Sequence, residues 1–203
     1  FLSEFKASNT SVKKEKKKKK IRVMSIEEQN LFMRYSKNSQ FYDLYMVALG
    51  TGMRNGELCA LQWADIDFDN KIIHVNGTLK YIAKAKVKYM IDEPKSETSK
   101  RDIPMLDNLV FTGSFGRCIS ENALYQDMKK IIVQIREDGH TFGEHTPHSL
   151  RHTFATRGFE RGIPPKVMQE ILGHKSITMT LDIYSHVLPD KKAEEINKLA
   201  AMF

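Results

Sequence analysis

The densest group of reactive side chains is the stretch "HTPHSLRHTFATRG", His145 to Gly158, where three histidines and two arginines fall within fourteen residues. Three partners suit such a group: a metal ion, backbone carbonyls in a polar core, or an anion that needs positive charge and proton transfer together. His148 and His152 are four apart and share a face if the stretch is helical, which is the spacing of a zinc pair. A hydrolytic zinc site also needs a third ligand and a general base, and in the zinc-protease form a glutamate follows the first histidine, where Ser149 stands here. Arg151, one turn from His148 on the same face, would repel a cation. An anion uses more of what is present. His148 and Arg151, at i and i+3, project from the first turn of a helix that Pro147 opens and Thr146 caps, and free N–H groups and the helix dipole there favour negative charge. A phosphate so placed meets a guanidinium fork and an imidazole able to exchange a proton. For any one of these histidines taken alone, satisfaction by backbone carbonyls remains the plain alternative.

The elements that must position this group can be read from periodicity and punctuation. Ser25 with Glu28 forms an S-x-x-E capping box for a helix over residues 25–38. A second helix over 41–49 stops at "GTG", and a third begins near Arg54 with Leu58 and Leu61 on one face. "KIIHVNG" and "TLKYIAK" are β-rich runs around Asn76-Gly77, which predicts a hairpin, and "KRDIPM" offers a third strand. Further helices are predicted over 121–136, 147–161, 165–172, 176–186 and 189–201. The expected fold class is α+β, mostly α, with a small antiparallel sheet on one edge.

Composition bounds the setting. The chain has 203 residues and a hydrophobic content of 41%, enough for one domain with a real core and an added arm. The longest apolar run, "LYMVALG", is far short of a membrane span, and no charged-then-apolar leader is seen. Cys59 and Cys118 show no CxxC spacing. These features predict a soluble, intracellular protein in a reducing compartment. The formal net charge of +7 is concentrated in "KKEKKKKKIR", residues 13–22, which holds eight basic residues and one acid. This run, with Lys16, Lys18, Lys20 and Arg22, reads either as a solvated linker or as an arm laid along phosphates. Residues 1–24 are accordingly expected to form a basic linker.

"HSLRHTFAT" followed by "ILGHKSITMTLDIYSHV" resembles the second signature box of the tyrosine recombinases, the phage and transposon integrase family, and "TGMRNGELCALQWADID" resembles the first. The likeness runs from about residue 25 to the C-terminus. "GTGMRNGELCAL" and "PKSETSKRDIPM" look most like the integrases of conjugative transposons. The resemblance implies a helical catalytic domain over residues 25–188 that cuts and rejoins DNA without metal or ATP. It makes Tyr184 the nucleophile, forming a 3′-phosphotyrosyl link, with His148 taking the tyrosine proton. Arg54 and Arg151 would clamp the phosphate, His174 would donate to it, and Glu57 would hold Arg54 or its helix. The proton for the leaving 5′-oxygen would come from Lys95, with Lys100 on the same turn as the alternative. Lys100 and Lys175, with the basic arm, would contact DNA.

The same resemblance implies double-stranded attachment sites as partners, homo-oligomers from a dimer to a synaptic tetramer, accessory bending or excision factors, and a place on the bacterial or phage nucleoid in the cytoplasm. Residues 189–203 would form a helix docking on a neighbouring protomer, or else packing back on its own domain. The chain departs from the pattern twice. It starts at what resembles the linker after a further DNA-gripping domain, and Asn108 runs directly into Leu109 where a helix is expected. Two other functions stay open: a type IB topoisomerase-like relaxing enzyme, and a catalytically inactive DNA-binding accessory protein.

Overall fold

Ser25 opens the first helix as its spacing predicts. Its hydroxyl accepts from the Glu28 N–H at 3.1 Å, and the Glu28 carboxylate accepts from the Ser25 N–H at 2.9 Å, which satisfies both groups at the start of α1 (Ile26–Tyr35). A 3-10 turn, Ser36–Asn38, leads to α2 (Tyr42–Thr51), buried along most of its length and ended by Gly52 in the left-handed conformation. Arg54 then caps α3 (Asn55–Ala60). The computed structural model describes residues 21–82, 89–93, 97–106, 119–185 and 197. The expectations for Lys16, Lys18, Lys20, Lys95, the Asn108–Leu109 junction, Cys118 and, apart from Asn197, the helix over 189–201 lie outside the described residues.

Five short strands form two sheets. In the first, β1 (Ile66–Asp67), β2 (Ile72–Val75) and β5 (Arg101–Pro104) lie in the order β1-β2-β5, all antiparallel, with Ile73 opposite both Ile66 and Ile103. In the second, β3 (Thr78–Tyr81) pairs antiparallel with β4 (Tyr89–Asp92), Leu79 opposite Ile91. The expected hairpin at Asn76-Gly77 is therefore corrected: β2 and β3 are consecutive but belong to different sheets. A two-residue type I′ turn needs positive φ at both central residues, and neither Asn76 nor Gly77 has it. Instead the Asn76 amide donates to Asp65 Oδ1 at 3.1 Å. A side chain at Gly77 would meet Ile91 Cγ2 at 2.7 Å, so this glycine serves the close approach of β4.

The remaining helices are α4 (Glu121–Glu137), α5 (Pro147–Glu160), α6 (Pro165–Leu172) and α7 (Ile177–Tyr184). They match the expected elements within a few residues, because serine caps open α4 and α7, prolines open α5 and α6, and Gly173 closes α6. A main core joins α1 to α4 and the first sheet around Phe32, Tyr45, Ile73, Ile103 and Met128. A smaller one of Ala155, Phe159, Met168, Leu172 and Ile183 holds α5, α6 and α7 together. Helix α5 packs on α2 and reaches both. Among the described residues no helix is long and apolar enough to cross a membrane.

Candidate active site

The C-terminal end of α6 organises the site. Gly173, at φ 63°, turns the chain into a Schellman motif in which its N–H donates to Glu170 O at 3.0 Å and the His174 N–H to Gln169 O at 3.1 Å. The last four carbonyls of a helix need outside donors, and this turn serves two of them. Arg101 Nε donates to Ile171 O at 2.6 Å and Arg151 Nη2 to Leu172 O at 2.7 Å, which serves the others. Arg54 Nη2 continues the series on Gly173 O at 2.5 Å. Three consecutive carbonyls thus receive three guanidinium groups, from β5, α5 and the cap of α3, at the negative end of a helix dipole.

Charge at this point is one-sided. Glu57 accepts from Arg54 Nη1 at 2.6 Å and from Arg101 at 3.1 and 2.9 Å, and it also receives the Arg54 N–H at 2.8 Å. Burial alone would raise the Glu57 carboxyl; the hydrogen bonds and charge of Arg101, with the charge of Arg54, outweigh it and hold the pKa below its ordinary value. Arg151 has no carboxylate partner among the described residues. Only 3% exposed, it spends both Nη groups on carbonyls, the second being Gly52 O at 2.7 Å. Burial and then the Arg54 charge push it down to about 9, which leaves it protonated at neutral pH.

The imidazoles around these arginines are neutral. His174 is buried, with Nδ1 2.8 Å from Thr180 Oγ1. Burial, then the charges of Arg151 and Arg54, depress it to about 3. His152 is pushed to about 4 by burial, His148 and Arg151. Its ring meets that of His148 edge to face at 4.7 Å. His148 reaches solvent on one side, yet its buried side and the charges of Arg151 and Arg54 lower its pKa as well. The outcome is an exposed neutral base beside a surplus of fixed positive charge. Among the described residues no three or more His, Cys, Asp or Glu side chains are grouped to hold a metal ion.

Comparison with known proteins fits this geometry. The phage integrase family pattern matches residues 19–191. The chain belongs to the phage integrase family. A XerC-like tyrosine recombinase of Caldanaerobacter subterraneus subsp. tengcongensis is 32% identical over 93% of this chain and 56% of its own length. The transposase of transposon Tn916 from Enterococcus faecalis is 29% identical over 81% and 46%. The chain therefore spans about half the length of the curated relatives it matches. Among solved structures, the Tn1549 transposon integrase in complex with transposon right end DNA superposes with a TM-score of 0.77 at 27% identity, over 92% of this chain and 68% of that one. The catalytic domain of bacteriophage HP1 integrase shares the fold, with a TM-score of 0.58 at 22% identity over 88% and 95%. The expected likeness to transposon integrases is met.

Within this integrase-family chain the structure gathers Arg54, Glu57, Arg151, His148 and His174. Tyr184 makes no hydrogen bond or ring contact with them among the described residues. It ends α7, partly buried, with its ring edge to face on Phe159 at 4.9 Å, and among the described residues its hydroxyl forms no hydrogen bond. Lys100 is exposed, its Nζ 3.4 Å from Glu93 Oε2, at a cleft of about 220 Å³ also lined by Arg101, Lys166, Gly173 and His174. Lys175 is exposed beside this cleft's His174, and Arg22 donates to Glu144 O at 2.8 Å. His145, the third histidine of the dense stretch, belongs to a brace instead: it is buried against Phe142, with Nε2 3.2 Å from Glu28 Oε1. Arg101 and Thr180 were not singled out by the sequence motifs. A weak signal existed for each, since Arg101 is two residues from the buried strand residue Ile103 and Thr180 is one helical turn before Tyr184.

Proposed function

We propose that this chain is the catalytic part of a metal- and ATP-independent tyrosine recombinase, which integrates or excises a mobile element by cutting and rejoining duplex DNA. The observation that carries the reading is Arg151, a buried guanidinium with no carboxylate partner among the described residues, next to Arg54 and to two neutral histidines. A structural arginine is ordinarily paired when buried. One supplied with carbonyls alone, in a surplus of positive charge, suits an anion whose charge grows during reaction. The phosphodiester in flight is such an anion.

In this reading the Tyr184 hydroxyl attacks phosphorus while its proton passes to neutral His148. The bond to the 5′-oxygen breaks, and that oxygen takes a proton from Lys95, or from Lys100 in its place. Arg54, Arg151 and His174 hold the non-bridging oxygens of the pentacoordinate state, and Glu57 fixes Arg54. The second half of the reaction reverses the roles on a new 5′-hydroxyl. Residues 1–24 serve as a basic linker on DNA, with Arg22, Lys100 and Lys175 as further phosphate contacts. Residues 189–203 dock on a neighbouring protomer, and the working assembly grows from a dimer to a synaptic tetramer on paired attachment sites, aided by accessory factors, on the cytoplasmic nucleoid.

The test is covalent capture on a nicked duplex bearing the element's own attachment site. The wild-type protein is expected to form an adduct that resists denaturation, and Tyr184→Phe to form none while binding within about tenfold of wild type, since one hydroxyl contributes little to a phosphate-based interface. An adduct that survives Tyr184→Phe overturns the assignment. Strand exchange between two duplexes separates recombination from mere relaxation of supercoils.

A further inference from the structure

A neutral imidazole carries a single proton, and the partner of one ring nitrogen decides what the other nitrogen offers. For His174 that partner is Thr180, whose Oγ1 lies 2.8 Å from Nδ1 and which has no exposed surface. Two arrangements satisfy the distance. With the proton on Nδ1, the ring would donate to Oγ1, and the threonine hydroxyl hydrogen would need another acceptor. Among the described residues Thr180 Oγ1 has the imidazole as its partner and no other. A fully buried hydroxyl donor would then be left unpaired, with the whole desolvation penalty of that group. With the hydroxyl donating to Nδ1, both buried groups are satisfied and the ring proton lies on Nε2.

We propose that Thr180 is a positioning residue that locks His174 as the Nε2–H tautomer, so that the ring presents a hydrogen-bond donor to the phosphate held by Arg54 and Arg151. The phosphate is part of the function proposed above, and this inference rests on that reading for its catalytic half. The ring is in the right place for the task. His174 directly follows Gly173, whose carbonyl receives Arg54, and it lines the cleft beside Arg101 and Lys100. Its low pKa agrees with a ring that acts as a neutral donor and not as a cation. Thr180 also stands four residues before Tyr184 on α7, on the same helical face. One hydroxyl therefore links the phosphate-binding turn after α6 to the helix that ends in Tyr184. A valine at this position would keep the shape and lose the link. A serine would keep it.

Two measurements test this in the full chain. The first is the ring tautomer of His174 in the wild-type protein, read from long-range proton–nitrogen correlations with nitrogen-15-labelled histidine at pH 7.5. A protonated Nε2 with a hydrogen-bonded, unprotonated Nδ1 is expected, and a protonated Nδ1 overturns the proposal. This measurement needs no variant, so a folding defect in a mutant cannot shield the idea. The second is the single-turnover rate of adduct formation on the nicked duplex at saturating protein. Thr180→Val should slow it by about ten- to a hundredfold, the scale on which an orienting partner acts through another residue. DNA affinity should stay within about twofold, because the phosphate contacts of the interface are untouched. Thr180→Ser should recover to within about threefold of wild type. Wild-type speed in Thr180→Val, or a serine variant as slow as the valine one, overturns the positioning role. If His174→Asn cleaves at the wild-type rate, the phosphate role of His174 fails and takes the catalytic half of this inference with it, while the tautomer measurement decides the structural half independently.

Discussion

Arg151 is held by two carbonyls from different helices, Gly52 O at the end of α2 and Leu172 O at the end of α6, and this geometry requires the planar fork of a guanidinium. A lysine there keeps the charge but presents one compact ammonium that cannot span both acceptors. Arg151→Lys is expected to lower cleavage by about two orders of magnitude or more, the usual effect of losing an oriented donor to a developing oxyanion. It should also destabilise the fold by about 1–3 kcal/mol through the carbonyl left unpaired. Near-wild-type cleavage by the lysine variant would remove Arg151 from the chemistry. His148 gives a prediction in pH. Burial and the two arginine charges lower its pKa from 6.5, so the neutral, proton-accepting form persists below that value and is lost as pH falls through the lowered pKa. The acid limb of the cleavage rate should therefore lie below pH 6.5, and a limb at or above 6.5 would show that another group sets it. At this scale the motifs singled out Arg54, Glu57, His148, Arg151 and His174, because each combines a reactive type with a fixed spacing, and the structure places these five near one another. Arg101 escaped them, since a strand arginine after a lysine looks like any solvated surface charge until β5 is seen to place it against Glu57 and Ile171.

The site is assembled from helix ends, and two glycines set those ends. Gly52, at φ 65°, closes α2 and lends its carbonyl to Arg151; Gly173 does the same for α6 and Arg54. A side chain on Gly52 would face a double penalty. Its backbone conformation disfavours any L-residue, and its Cβ would collide with the Phe154 ring and lie 2.8 Å from Leu172 Cδ2. Gly139 offers the control, with φ 86° and nothing within 4 Å of the place a methyl group would take. Gly139→Ala should cost about 1–2 kcal/mol of stability from the backbone alone and leave cleavage as it was. Gly52→Ala should cost more in thermal unfolding and also slow cleavage by about tenfold or more as the Arg151 anchor shifts. Equal behaviour of the two variants would mean that the Gly52 carbonyl does not set the arginine. The stop at "GTG" was legible because glycine ends a helix by its own conformational freedom. The pairing of strands was not, since Asn76-Gly77 carries a hairpin composition whichever strand lies next to it. Its true role depends on Asp65 and Ile91, eleven and fourteen positions away in the chain, and no local pattern reports them.

Across the whole molecule, basic charge is kept in two places with different consequences. The formal excess lies in residues 13–22, whereas the site holds its positive charge inside the fold, where burial first and that charge second keep His152 and His174 neutral. That second arrangement links stability to pH. An unfolded histidine titrates near 6.5, while folded His152 and His174 are depressed to about 4 and about 3. Below pH 6.5 the unfolded chain therefore binds protons that the folded one refuses, and the unfolded state gains. Stability from these groups is complete above pH 6.5 and declines as pH falls toward 4, by at most about 1.4 kcal/mol per pH unit for each histidine. Glu57 adds a further loss at lower pH, because its lowered folded pKa stabilises the protein only while the carboxyl is ionised. Urea unfolding at pH 8, 7, 6 and 5 should show a midpoint that is steady above 6.5 and falls steeply below it. His152→Gln, which removes a ring whose buried Nδ1 has no hydrogen-bond partner among the described residues, should flatten that slope by about one proton's worth. A midpoint that rises on acidification, or a slope unchanged by His152→Gln, would show that burial, with the positive charge beside it, does not hold these rings neutral in the folded chain.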